Sequence, residues 1–314
     1  MKILLVGEYS RLHNSLKEGL TALGHEVVLV SSGDGFKKYP SDILIKPSIF
    51  DKPGLKIFAK FFDKFFDIQL NKHEYYYNIN KLVPSLSGFD IVQLINEQAF
   101  RVSPQHEIKL ITRLIKQNKH VFLLSCGTDY TSVKYALDKK LKYSILTPYF
   151  KNKALKNHYQ FILKYVSIPN KILHNFLFSK IKGVISSDLD YHIPLNGAPK
   201  YLGLIPNPIN IDALKYRQLL IGDKIIIFHG INTNNAIKKG NKFFTDALNI
   251  IKHKYQNKVD IIASEDLPYE AYMKAFESCH ILLDQVYSYD QGYNALEAMA
   301  IGKVVFTGAE EEWL

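Results

Sequence analysis

The chain opens on an apolar run, "KILLVG", followed by "LHNSLKEGLTALG" and a second apolar run, "HEVVLVSS". The middle segment carries its apolar residues at helical spacing and is closed by Gly24, so the opening reads strand, helix, strand. "FDIVQLI", "KHVFLLS" and "IKGVISS" are further short apolar runs ending in polar or small residues. Strands that are apolar throughout and alternate with helices belong to a parallel sheet covered on both faces. Ligands of such sheets bind beyond the carboxyl ends of the strands. That directs attention to "GEYSRLHN", "NEQAF", "CGTDY" and "SDLDYH".

"YLGLIPNPINID" interrupts the alternation. Its two prolines around Asn207 disfavour helix and predict an extended connector. The pattern then restarts with strand "KIIIFHG", helix "NKFFTDALNIIKHKY", strand "VDIIAS", helix "YEAYMKAFESC" and strand "HILLDQV". A last helix runs from Asn294 to Ala300, Gly302 stands where a helix end favours positive φ, and "KVVF" is a final strand. The expectation is two doubly wound α/β domains, residues 1–205 and 223–314, joined by a linker over 206–222. The second holds four strand-like runs and stops at "GAEEEWL". A doubly wound domain usually has five or six strands and a closing helix, so this domain is expected to be C-terminally truncated.

Composition adds bounds. With 314 residues and 47% hydrophobic content the chain can bury two cores. Two cysteines, Cys126 and Cys279, make no disulfide framework and suit a reducing compartment. No leader-like segment and no apolar stretch of spanning length is present, so the reading is a cytoplasmic protein.

Charge is uneven. Between Lys134 and Lys182 there are 11 lysines and one acid, Asp138, an excess equal to the +10 of the whole chain. A second basic-aromatic stretch, "LKIFAKFFDKFFDIQLNK" from Leu55 to Lys72, sets Ile57, Phe58, Phe61, Phe62, Phe65 and Phe66 on one helical face. The first reading is a helix covering a core behind solvated lysines. The sharper one is a surface resting on an anionic membrane, peripheral to its inner face. Nucleic acid ranks last, because every basic residue of the 134–182 segment is lysine and phosphate forks favour arginine.

The chemistry-bearing motifs lie in the second half. No G-x-G-x-x-G follows the first strand, no histidine or cysteine spacing suits a metal, and no G-x-S-x-G elbow occurs. Lys239 before Gly240 can turn an ammonium toward the strand ends. The helix start at Gly292, Tyr293 and Asn294 offers backbone N–H groups to an anion. Glu297, set among Ala295, Leu296, Ala298 and Met299, is either a partner of the helix dipole or an acceptor for two ribose hydroxyls. His229, ending the domain's first strand, completes the donor-binding candidates.

"NALEAMAIGKVVF", with "KKG" before it, resembles the donor-sugar signature of the retaining GT-B glycosyltransferases of family 4, the glycosyl transferases group 1, of the bacterial polysaccharide type. The two-domain order and "KILLVGEYS" extend the resemblance along the chain. It implies a GT-B fold of two Rossmann-like domains facing a cleft, with the donor on the second and the acceptor on the first. It also implies transfer of a sugar from a nucleotide sugar to an acceptor hydroxyl, lipid-linked or on a growing polysaccharide, with retention and without a metal or other cofactor. Glu297 would bind the ribose, the helix start the diphosphate, and Lys239 matches the family lysine on that diphosphate. Three departures stand out. The family's first acid falls on Tyr289, with Asp290 one residue out of register as its stand-in. "HGINT" lacks the usual arginine, leaving Lys239 to carry the charge nearly alone. "CGTD" puts Cys126 at a histidine position, best read as a small strand-end residue, and Asp129 as an acceptor- or sugar-facing acid. Lys239, Asp290 and Asp129 are therefore the catalytic candidates. The rival readings are a degenerate sugar-nucleotide binder without catalysis and a GT-B-type sugar-nucleotide epimerase.

Overall fold

The computed structural model describes residues 1–34, 39–66, 70–289 and 291–308. Seven parallel strands form the first sheet: β1 (Lys2–Val6), β2 (Glu26–Ser31), β3 (Ile43–Leu44), β4 (Ile91–Leu94), β5 (His120–Ser125), β6 (Gly183–Ser186) and β7 (Tyr201–Leu204). Their order is β3-β2-β1-β4-β5-β6-β7. Four more parallel strands, β8 (Ile225–Ile231), β9 (Val259–Glu265), β10 (Ile281–Leu283) and β11 (Val304–Phe306), form the second sheet in the order β11-β10-β8-β9.

The apolar runs explain both sheets. Successive side chains of a strand point to opposite faces. Leu4 and Val6 accordingly join Leu110 and Leu114 of helix Pro104–Gln117 and Leu173 and Leu177 of helix Ile168–Lys180. Ile3 and Leu5, alternating with them, face Leu16 and Leu20 of helix Leu12–Ala22. In the second sheet Phe228 and Leu282 pack on Ala275 and Phe276 of helix Tyr269–Ser278, while Ile227 and Leu283 meet Leu248 of helix Asn241–Lys254.

Two strands escape the sequence pattern. β3 is two residues long, and β7 lies in the stretch read as connector, where Gly203 takes φ 119°. Both are edge strands. The division of the chain also differs from a single cut after 205. One compact unit contains Met1–Tyr130, Lys164–Ser187 and Leu195–Pro208; the other contains Thr131–Leu163, Asp188–Pro194 and Ile209–Leu314. Residues 131–163 go with the second unit because their groups are satisfied there. Lys142 N–H donates to the Tyr289 hydroxyl (2.9 Å), and the Lys238 ammonium lies 4.8 Å from the centre of the Phe161 ring. The lysine-rich segment from 134 to 182 is thereby shared between two units and is not one face of the first.

Each sheet has a point where strand order reverses, between β1 and β4 in the first and between β8 and β10 in the second. In open parallel sheets, ligands bind beyond the carboxyl ends of the strands at such a point. The loops beyond β8 and β10 carry Lys239 and Gly292.

Burial leaves the first unit with unusual titration. Glu107 is fully buried and accepts N–H bonds from Phe100 and Val102, both 3.1 Å, which fixes the loop after β4. Burial pushes its carboxyl up to about 8 and that of Glu8 up to about 7, from an ordinary 4.5. His13, also fully buried, is pushed down from 6.5 to about 4. The carboxyls bind protons in the fold that the unfolded chain has released. Their contribution to stability is complete below 4.5 and is lost as pH rises through 7 and 8. His13 acts oppositely, adding stability as pH rises from 4 to 6.5. Stability should therefore fall between pH 6.5 and 8, where only the carboxyls operate. Chemical denaturation across that range checks this, and Glu107→Gln should flatten the slope; a rising slope would contradict it.

Candidate active site

In the second unit, the chain leaves β8 and makes a short helix, Ala236–Lys239, closed by Gly240 at φ 74°. A side chain on Gly240 would be strained by that φ and would meet Val286 and the Tyr287 ring at 3.0 Å. The close approach brings two loops together. Lys239 C=O accepts from Val286 N–H at 2.8 Å, and Lys239 Nζ donates to Asp284 Oδ1 at 2.9 Å.

Asp284, directly after β10, is the hub of this region. Its side chain is 3% exposed, against 31% for Lys239. Besides Lys239 it accepts from Gly292 N–H (3.1 Å) and the Thr307 hydroxyl (3.2 Å), both on Oδ2. Gly292 is the N-cap of helix Tyr293–Ala300, and a Cβ there would stand 2.9 Å from Asp284 Oδ2. One carboxylate thus joins the loop after β8, the end of β10, the start of the candidate donor helix and the residue after β11. It also means that Lys239 is ion-paired before any ligand arrives.

The other candidates fall around this hub. Glu297 is half-buried one turn into the helix, Tyr293 is buried at its start, and Asn294 is exposed with its amide donating to the Tyr272 hydroxyl (3.2 Å). Gly302, after the helix, takes φ 93° as its position requires. His229 is fully buried; burial lowers its basicity, with hydrogen bonding at the Leu283 and Asn241 backbones opposing. Lys238, next to Lys239, is pushed down to about 8, chiefly by burial and then by repulsion from Lys239. Two neighbouring ammonium groups that repel each other are a setting that an anion relieves. Asp290 lies outside the described residues. Tyr289, at the position of the family's first acid, is 1% exposed. Its hydroxyl takes Lys142 N–H, and its own N–H donates to Asp190 at 3.1 Å.

A separate cluster occupies the strand ends of the first unit. Gly7, at φ 90°, lets the chain turn off β1 where a Cβ would strike Ile95 at 2.4 Å. Glu8 follows, buried, with Oε2 accepting from Asn14 N–H (2.9 Å) and Nδ2 (2.6 Å) while Oε1 makes no hydrogen bond. Burial chiefly, and Asp34 secondarily, hold its carboxyl near 7. Arg101 Nη2 donates to Glu8 C=O (3.1 Å) and Asp34 Oδ1 (2.8 Å), and its guanidinium lies over the Tyr9 ring. Beyond β4, buried Glu97 pairs with His174 Nδ1 at 2.6 Å, and burial raises its carboxyl. Beyond β5, Asp129 is buried and accepts from the Ser125 hydroxyl, and Cys126 donates to Ile95 C=O (3.0 Å). Among the described residues no group of three His, Cys, Asp or Glu could hold a metal ion.

No protein-family model matches the sequence, and no curated protein matches it. Solved structures do. Sucrose-phosphate synthase from Thermosynechococcus elongatus aligns over 97% of this chain and 80% of its own, with a TM-score of 0.50 and 12% identity. An enzyme described as a UDP-N-acetylglucosamine 2-epimerase from Listeria monocytogenes aligns over 97% and 77%, at 0.48 and 13%. MurG from Acinetobacter baumannii aligns over 99% and 78%, at 0.39 and 11%. At these identities likeness speaks for fold alone, and the two scores below 0.5 carry no argument. The chain has a GT-B type fold.

Asp284, Glu8 and Glu97 were not singled out from the sequence. Asp284 is the first residue after its strand, Glu8 the second and Glu97 the third, and that placement is the signal that could have marked them. The hub yields a direct test. Asp284→Ala leaves the Lys239 ammonium, the Gly292 N–H and the Thr307 hydroxyl without their acceptor. It should destabilise the protein by about 2–3 kcal/mol in urea unfolding, a value held low because Lys239 is partly solvated. An unchanged midpoint would mean that solvent replaces the carboxylate without cost.

Proposed function

We propose that the protein is a glycosyltransferase that moves a sugar from a nucleotide-sugar donor to an acceptor hydroxyl. The observation that carries this reading is the arrangement at the switch point of the second sheet. Lys239, held by Asp284, stands beside the N-terminus of the helix that carries Glu297 one turn on. A nucleoside diphosphate needs cations and N–H donors at its phosphates and a carboxylate at its ribose. All three are carried by neighbouring elements of one unit.

In the proposed reaction the bond between the anomeric carbon and the diphosphate oxygen breaks, and negative charge develops on the departing diphosphate. Lys239 stabilises it, with Lys238 as a second cation whose pKa of about 8 rises as the anion approaches. No metal is required on this reading. Asp284 positions the Lys239 ammonium and also lowers the net positive charge the donor meets. Glu297 accepts from the ribose hydroxyls. The acceptor, a saccharide or a lipid-linked one, is assigned to the strand ends of the first unit. Retention of configuration follows only from the resemblance to family 4. Because Tyr289 is turned into the fold, the sugar hydroxyls are not read by a side chain at that position.

Turnover of a radiolabelled nucleotide-sugar panel, with and without lipid-linked and soluble saccharide acceptors, tests the assignment. Transfer to an acceptor supports it. Release of a free epimer, or binding without turnover, would replace it with an epimerase or a degenerate binder.

Two substitutions test the residues. Glu297→Ala should weaken donor binding by about 1–3 kcal/mol in calorimetry, the loss of charge-assisted hydrogen bonds; unchanged affinity with an intact fold contradicts the ribose role. Lys239→Ala should lower turnover more than Lys239→Arg does. Full activity of the alanine variant would remove Lys239 from the reaction.

A further inference from the structure

Helix Leu55–Phe66 of the first unit shows its aromatic side to solvent. Ile57 is 74% exposed, Phe58 50%, Phe61 49% and Phe65 63%. Only Ala59 of this helix is buried among its described side chains. A helix advances roughly 100° per residue, so Ala59 marks the side that rests on the protein, and Ile57, Phe58, Phe61 and Phe65 occupy another side altogether. Among the described side chains, core covering falls to Ala59 and half-buried Phe62. The phenylalanines pack on one another instead, with ring centres 4.7 Å apart in both the Phe58–Phe62 and Phe61–Phe65 pairs.

Lysines border this side. Lys56, Lys60 and Lys64 are all exposed and fall on one arc of the helix next to Ile57 and Phe61. Asp63 is the only acid in the helix. The Lys64 ammonium reaches over the Phe65 ring, 5.6 Å from its centre. Aromatic side chains beside a row of lysines fit the boundary of an anionic bilayer, where rings enter the acyl region and ammonium groups stay with the headgroups. A second copy of the chain is a poorer occupant, because pairing two such faces sets lysine rows against each other.

We propose that this helix docks the protein on an anionic lipid surface. The phenylalanines supply the insertion and Lys56, Lys60 and Lys64 supply the preference for negative headgroups. The proposal does not depend on the glycosyltransferase reading.

Co-sedimentation of the full chain with vesicles tests it, comparing phosphatidylcholine alone with an equal mixture of phosphatidylcholine and phosphatidylglycerol. The protein should pellet with the anionic vesicles at low salt, and less so at roughly 1 M salt, where electrostatic attraction reaches only roughly 3 Å. Phe61→Ser with Phe65→Ser should reduce partitioning by more than about tenfold. The melting temperature should be kept, since both side chains are exposed. Replacing the three lysines by Gln should remove the preference for anionic over neutral vesicles. The proposal is overturned if the wild type stays in the supernatant with anionic vesicles at low salt, or if the double Phe variant pellets like the wild type. It is also overturned if light scattering finds a dimer that the Phe variant abolishes while vesicles bind neither. Donor binding by the Phe variant should be unchanged, which separates failure here from failure of the proposed reaction.

Discussion

A single buried carboxylate organises the second unit. Asp284 takes the Lys239 ammonium on one oxygen and the Gly292 N–H and Thr307 hydroxyl on the other. Those partners are 45, 8 and 23 residues away along the chain. A buried carboxylate is costly unless its lone pairs are filled by donors, one of them charged. Filling them forces the loops after β8 and β10 into contact and leaves no room for a side chain at Gly292. The position of helix Tyr293–Ala300 therefore follows from the electrostatic needs of a residue outside it.

The same pairing shapes the chemistry. A lysine bound to a carboxylate is less attractive to an anion than a bare one, yet its direction is set before the ligand arrives. Preorganisation of this kind lowers the reorganisation cost at the moment charge develops. Lys238 adds a cation weakened by burial, so on the proposed reading the loop would offer an incoming diphosphate two ammonium groups in different electrostatic states. In the first unit the logic is reversed. Glu8 and Glu107 are buried with hydrogen bonds but without a strong cation partner, so their carboxyls hold protons near neutrality.

Long apolar strands were legible in the sequence because burial on both faces leaves no polar position in "ILLV" or "IIIF". β3 and β7 were not, since two paired residues, or four including Gly203, carry too little pattern to distinguish an edge strand from a connector. Gly302 was legible as a place needing glycine. The demands at Gly240 and Gly292 were not, because they are contacts with Val286, Tyr287 and Asp284 across loops. Tyr289 was visible as a departure from the family pattern, but only the structure shows its hydroxyl committed to Lys142. Residues 131–163 read as part of the first domain because a linear cut cannot register chain that crosses to another unit and returns. The aromatic helix at 55–66 was legible as amphipathic; which side faces the protein depends on tertiary packing, and that side turned out to be Ala59.

The central claim is that a nucleoside diphosphate sugar seats between the loops that Asp284 joins. Hydrogen exchange read by mass spectrometry, with and without a saturating nucleotide sugar, tests it most directly. The account predicts slowed exchange confined to the backbone around Lys239–Asn241 and Gly292–Glu297, with little change at the strand ends of the first unit. Protection restricted to the loops after β1 and β4, or none at any donor concentration, would contradict it.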